Sequence, residues 1–147
     1  MPTPNDDLFA LSFTVPGKPF GKQTSRSAPN GHYTRDKTRF YEGLVATMAM
    51  RAMQEAGYRE PFGNALELTF TAVFPIPVSW STKKKTAAIN WEIFPTVKPD
   101  LSNIQKAIED GMNQIVYRDD SQIIRCNSSK IYGDNPCVKV KIADWRA

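Results

Sequence analysis

Hydrophobic and polar positions alternate with a period of two in two clear places. Phe9, Leu11, Phe13 and Val15 are separated by Ala10, Ser12 and Thr14, which predicts a half-buried strand ended by Pro16-Gly17. Leu66, Leu68, Phe70, Ala72 and Phe74 alternate with Glu67, Thr69, Thr71 and Val73, and this second strand closes at Pro75 and Pro77. The period becomes helical over residues 36–56, where Phe40, Leu44, Val45, Met48 and Ala52 make an apolar stripe ahead of a Gly57 stop. Met48, Met50 and Met53 are expected in core or dimer packing. A short helix capped by Ser79 or Ser81 runs to about Asn90, and residues 91–97 read as extended. The sharpest helical pattern covers residues 101–115. There Leu101, Ile104, Ile108, Met112 and Ile115 fall within an arc of about 80°, so this face packs on a sheet. Residues 122–132 and 137–143 read as strands, the second from Val138, Val140 and Ile142 against Lys139 and Lys141. The turn chemistry of Gly133-Asp134-Asn135-Pro136 between them predicts a hairpin.

The resulting order, β-α-β-α-α-β-β, implies an α+β fold: one small domain with a mixed or mostly antiparallel sheet of about four strands packed by helices. At 147 residues the chain is long enough for a core of its own. The domain is expected to span 8–147, with 1–7 disordered. No apolar run approaches the ~18 residues needed to cross a bilayer, and residues 1–7 lack the apolar stretch of a signal peptide. A cytoplasmic protein without membrane contact is the expectation.

Charge changes the picture through its distribution. Lys+Arg number 19 and Asp+Glu 15, a net +4. Lys18, Lys22, Arg26, Arg35, Lys37 and Arg39 fall in or beside an aperiodic stretch of Gly, Pro and Ser over residues 17–35, and Lys83–Lys85 form a second basic group. The acids gather instead between Asp100 and Asp120. A loop this long is either functional or disordered. Its basic residues suit phosphate contacts, and Phe20 and Tyr33 could stack or wedge on bases. His32 reads as a surface residue of the same loop. The single His, and two cysteines outside any C-x-x-C pair, exclude a His-rich zinc site, so a metal here would be bound by oxygen, as Mg²⁺ or Mn²⁺ is. In the expected hairpin Cys137 lies near Tyr132 and away from Cys126, which argues against a disulfide.

Asp100 directly precedes the amphipathic helix. By itself it reads as an N-cap, worth about 0.5–2 kcal/mol. Ser102, Asn103, Lys106 and Asp110 share an arc of about 100° beside or opposite the apolar stripe, and Lys106 and Asp110 are i, i+4 neighbours. Downstream, Asp119-Asp120 enters a strand, where adjacent acids repel unless solvated or bridged by a cation. Phosphodiester cleavage uses carboxylates that hold one or two ions, with a cationic group to stabilise developing charge.

The run Lys98-Pro99-Asp100-Leu101-Ser102-Asn103-Ile104-Gln105-Lys106-Ala107, then Asp110, then Asp119-Asp120-Ser121-Gln122-Ile123, resembles the signature of the RusA family of Holliday junction resolvases, common in bacteriophages and prophages. More loosely the resemblance covers most of the chain. It implies a small homodimer that binds branched DNA at four-way junctions and cuts with Mg²⁺, or Mn²⁺ as a substitute, in recombination and repair. It matches Asp100 to the first family aspartate, Asp120 to the distal one, Lys106 to the lysine, Asn103 to the motif asparagine and Asp119 to the less critical partner of Asp120. Catalysis would thus fall to Asp100, Asp120 and Lys106, metal binding to Asp100, Asp120, Asp119 and Ser102, with Asn103 and Asp110 in support. The chain departs from the pattern at Ser102, where the family has a second aspartate. A neutral hydroxyl supplies no charge. The alternative reading is therefore a branched-DNA-binding protein whose cutting is weakened or lost.

Overall fold

Strong alternation makes strands, and its sidedness decides how they stack. The structure, a computed structural model, describes residues 9–22 and 31–145, with side chains in the first helix from Arg35 onward. The segment 1–7 and Arg26 lie outside the described residues, as do the side chains of His32 and Tyr33. The elements are β1 (Ala10–Pro16), α1 (Gly31–Ala56), β2 (Leu66–Pro75), α2 (Thr82–Ile89), α3 (Leu101–Met112), a single 3₁₀ turn (Asp120–Gln122), β3 (Ile123–Gly133) and β4 (Cys137–Asp144).

The four strands form one mixed sheet in the order β1-β4-β2-β3. β4 runs antiparallel to both β1 and β2, whereas β2 and β3 are parallel. One face carries Leu11, Val15, Leu68, Phe70, Ala72, Val138, Val140 and Ile142, all buried. The register Leu11↔Ile142↔Leu68 and Val15↔Val138↔Ala72 aligns them across three strands. The opposite face shows Ser12, Thr14, Lys139 and Lys141 to solvent, as an antiparallel sheet covered on one side requires.

The α+β domain with a mixed sheet is thus as expected, but the hairpin is not. β3 and β4 flank β2 and share no ladder. The parallel β2–β3 pair needs a long crossover, and residues 76–122 with α2 and α3 supply it. The turn after β3 steps across the end of β2, and a Cβ on Gly133 would lie 2.6 Å from Val73 Cγ1, so a side chain there would have to push Val73 aside. The argument from the hairpin against a disulfide falls with it, yet both cysteines are free.

Three smaller expectations also change. Residues 91–93 form a turn and bend, 94–96 have no regular structure, and no strand forms over 91–97. The third helix stops at Met112 instead of reaching residue 115, because Asn113 leaves the helical backbone and Gln114 takes φ 66°. The first helix begins at Gly31, five residues before the expected start, and its buried stripe is rotated by one position: Tyr41, Val45, Ala49, Ala52 and Met53 face inward. Phe40 is 77% exposed and Met50 46%, so the three methionines do not share one buried face. The second helix is capped as expected, by Ser81, whose side chain accepts from Lys84 N.

Helix α3 is locked between α1 and the sheet. Ile104, Ile108 and Met112 are fully buried, each worth about 1.5–3 kcal/mol, far above the few tenths of an exposed i, i+4 pair. Packing therefore sets the rotation of the helix and turns Ser102 and Lys106 outward. At Gly111 the two helices touch: a Cβ there would sit 2.6 Å from Val45 Cβ and 3.1 Å from Glu42 O. Gly111→Ala gains roughly 1 kcal/mol of helix propensity but overpacks by about 1–3 kcal/mol. Urea unfolding is expected to show a net loss of stability; an unchanged or raised midpoint would contradict this contact.

Candidate functional site

The polar side of α3 and the turn before β3 supply the groups. Asp100 stands at the N-cap position with extended backbone, but its side chain makes no capping bond. The exposed carboxylate is not engaged in the role that a lone Asp before a helix ordinarily has. Two positions on, Ser102 is also exposed, while Asn103 is half-buried and its carbonyl accepts from Lys22 N at 3.0 Å.

Six residues along the helix, roughly 9 Å by its rise, comes Lys106. Its ammonium lies 3.3 Å from Asp120 Oδ2 and 3.4 Å from Asp110 Oδ1. Asp110 Oδ2 is 2.5 Å from Lys22 Nζ, which also lies 3.2 Å from Glu42 Oε1. The nearby Asp110 charge is the leading reason that Lys106 holds its proton more tightly than a free lysine, and the hydrogen bond to Asp110 is the leading reason for Lys22.

The Asp119-Asp120 turn is fixed by Gln122. Asp119 Oδ2 accepts from Ser121 N at 3.0 Å, while Gln122 Oε1 accepts from Asp119 N at 3.0 Å and Arg118 N at 2.8 Å. This is a reciprocal capping box. The amide nitrogen of Gln122 donates in turn to Phe62 O and Asn64 O. Asp119 is thereby used structurally, and its bond to Ser121 lowers its pKa. Asp120 is left to face Lys106.

The structure thus brings Lys106, Asp110 and Asp120 together. It keeps Asp100 and Ser102 further up the same helix and points Asp119 into its own turn. No group of three or more His, Cys, Asp or Glu among the described residues is arranged to hold a metal. The donor set fits an ion bound by one or two carboxylates with water and substrate phosphate completing it, the usual mode for Mg²⁺, and not a protein-only cage.

Of the residues expected on a DNA-binding arm, Lys18 is exposed, and Arg35 and Lys37 lie exposed on the first turns of α1. Phe20 packs on Tyr41 with ring centroids 5.2 Å apart, so its ring forms part of the core edge. Lys22 is ion-paired within the acidic site.

Sequence reasoning missed three participants. Gln122 could have been found from the Asp-x-x-Gln spacing of a capping box. The Glu42 and Lys22 pairing joins distant parts of the chain and leaves no local signal. Glu109 is half-buried beside Gln105, whose amide donates to it at 2.7 Å, and its backbone carbonyl accepts from the buried Tyr117 hydroxyl at 2.6 Å.

Compared with known proteins, the chain falls in a family of DNA-cutting enzymes. The family model described as "Endodeoxyribonuclease RusA" matches residues 16–143, most of the chain, and the protein belongs to that family. It is also similar to the uncharacterized protein YqaN of Bacillus subtilis (strain 168), at 33% identity over 141 residues, covering 93% of this chain and 98% of that one.

Burial, ahead of the nearby Asp120 charge, raises the pKa of Glu109 above its ordinary 4.5. The protonated form is favoured in the fold, so stability is fullest below the unfolded pKa and falls as pH rises through the folded value. Glu109→Gln keeps an acceptor for Gln105 and removes the buried charge. The variant is expected to melt higher than wild type at pH 7 and equal to it below pH 4.5. Melting curves that stay parallel across that range would refute the assignment.

Proposed function

We propose that the protein is a metal-dependent endonuclease that resolves four-way DNA junctions by phosphodiester hydrolysis. The observation that carries the reading is Lys106 held between Asp110 and Asp120, on the helix whose first turn presents the uncapped Asp100. Family membership supports DNA cutting, and the motif lysine Lys106 lies 3.3 Å from the distal motif aspartate, Asp120.

On this reading Asp100 and Asp120 hold the divalent ion, Mg²⁺ or Mn²⁺, with Asp119 and the Ser102 hydroxyl as lesser oxygen donors. The ion, when bound, would supply an activated water and charge stabilisation at the leaving oxygen. Lys106, 3.3 Å from Asp120, would stay beside that carboxylate and offer its charge to the phosphoryl oxygens as they become more negative. Asn103 and Asp110 keep the helix face and the lysine in position. Lys18, Arg26, Arg35 and Lys37 would contact phosphates, with Tyr33 near the branch. Symmetric cutting of a two-fold junction calls for two such faces, hence a homodimer. The domain would be the whole of 8–147, acting in the cytoplasm of a bacterial host. No helix among the described residues is long and apolar enough to cross a membrane.

Ser102 favours one second reading, a branched-DNA-binding protein with weakened or absent cutting, because the position supplies no negative charge. Cleavage of a synthetic four-way junction with Mn²⁺ separates the two. The proposal expects wild type to cut, Asp120→Asn to lose cutting, Lys106→Met to lose roughly 10²–10³ in rate, and Ser102→Asp to cut faster. If wild type binds junctions yet fails to cut while Ser102→Asp cuts, the second reading replaces the first.

A further inference from the structure

Two carboxylates from different helices meet one ammonium beside the motif. Lys22 Nζ lies 2.5 Å from Asp110 Oδ2 and 3.2 Å from the buried Glu42 Oε1, whose charge it answers. The other Asp110 oxygen faces Lys106, which it shares with Asp120. The groups form a chain of alternating charge: Lys22, Asp110, Lys106, Asp120. Backbone contacts hold Lys22 there as well. Its N–H donates to Asn103 O at 3.0 Å, and a Cβ on the preceding Gly21 would lie 2.5 Å from Pro99 Cβ. Residues 21–22 are therefore laid against the start of α3, within the Lys98–Lys106 motif.

We propose that Lys22 is a positioning residue: it holds Asp110 so that Lys106 remains on Asp120. With Lys22 present, Asp110 and Glu42 are both answered, and Lys106 divides between two aspartates at nearly equal distance. Without it, the part-buried Glu42 loses its counter-charge and Asp110 keeps Lys106 as its cation, a change that is costly. Lys106 is the adjacent cation, so it is drawn to Asp110 and leaves Asp120. The consequence for cutting rests on the nuclease reading above; the rearrangement of Lys106 does not. A phosphate-binding lysine would behave differently, changing affinity and its salt dependence in place of turnover.

Lys22→Met and Lys22→Arg, each in the full chain, test this by two measurements. Nitrogen NMR of the Lys106 side-chain ammonium, without DNA or metal, is expected to shift in Lys22→Met. It should return toward wild type in Lys22→Arg and in the double variant Lys22→Met/Asp110→Asn, where the pull on Lys106 is removed. Single-turnover junction cleavage at saturating protein is expected to fall roughly 10- to 100-fold in Lys22→Met, with junction affinity unchanged, and to recover in Lys22→Arg. An unmoved Lys106 signal overturns the proposal whether or not the protein cuts DNA. A moved signal in a protein whose wild type does not cut upholds the positioning and rejects the nuclease reading. Weaker junction binding, with a salt slope smaller by about one and an unchanged cleavage rate, makes Lys22 a phosphate contact and also overturns it. If Lys22→Met does not fold, Lys22→Gln carries the same comparison.

Discussion

The contact of α1 with α3 at Gly111 is the constraint on which the rest of the molecule depends. Val45 occupies the space where a side chain at 111 would begin, so the two helix backbones approach as closely as they can. Ile104, Ala107, Ile108 and Met112 then have no choice but to face the sheet. Once that face is fixed, the 3.6-residue repeat sends Ser102 and Lys106 outward and brings Asp110 toward Glu42 on α1. The chain after α3 is tied to the same helix: the buried Tyr117 hydroxyl donates to Glu109 O, and Gln122 binds the Asp119-Asp120 turn to residues 62 and 64. A shift of α3 would carry the whole polar face with it.

The ion pairs on that face contribute little to holding the fold. Lys106 is about half exposed, and pairs at that exposure are worth about 0–1 kcal/mol. Their effect is local. They offset the charges of Asp110 and Asp120 with those of Lys22 and Lys106. In the proposed mechanism Lys106 stays beside Asp120, where its charge is available to a phosphate. Asp100 differs in kind: it caps nothing and pairs with no described cation, which leaves its oxygens open.

The parts of this arrangement that were legible in the sequence are those that depend on large side chains at regular spacing. Ile104, Ile108 and Met112 announce the buried face of α3, and Leu66 to Phe74 announce the central strand. Small buried residues are silent by comparison. Gly111 and Ala107 lie on the inner face yet add nothing to an apolar count, and in α1 the prominent Phe40 drew the stripe one position away from the buried Tyr41 and Ala49. β3 was mispaired because it is an edge strand with no clean alternation, so the turn residues after it were the only local signal. Turn chemistry says that the chain reverses, not which strand it reverses onto. The candidate site was legible as a motif, since Asp100, Lys106 and Asp119-Asp120 match a family pattern. Its electrostatic frame was not, because Lys22 and Asp110 are 88 residues apart.

The central claim is that the face formed by α3 and the Asp119-Asp120 turn binds a divalent cation. Paramagnetic broadening of backbone amide signals by substoichiometric Mn²⁺ tests it most directly. The account predicts that the strongest broadening falls on the first turns of α3 and on Asp120 to Gln122, and that Asp120→Asn removes it. Broadening centred elsewhere, for example on the turn at Asp134, or none at all, would contradict it.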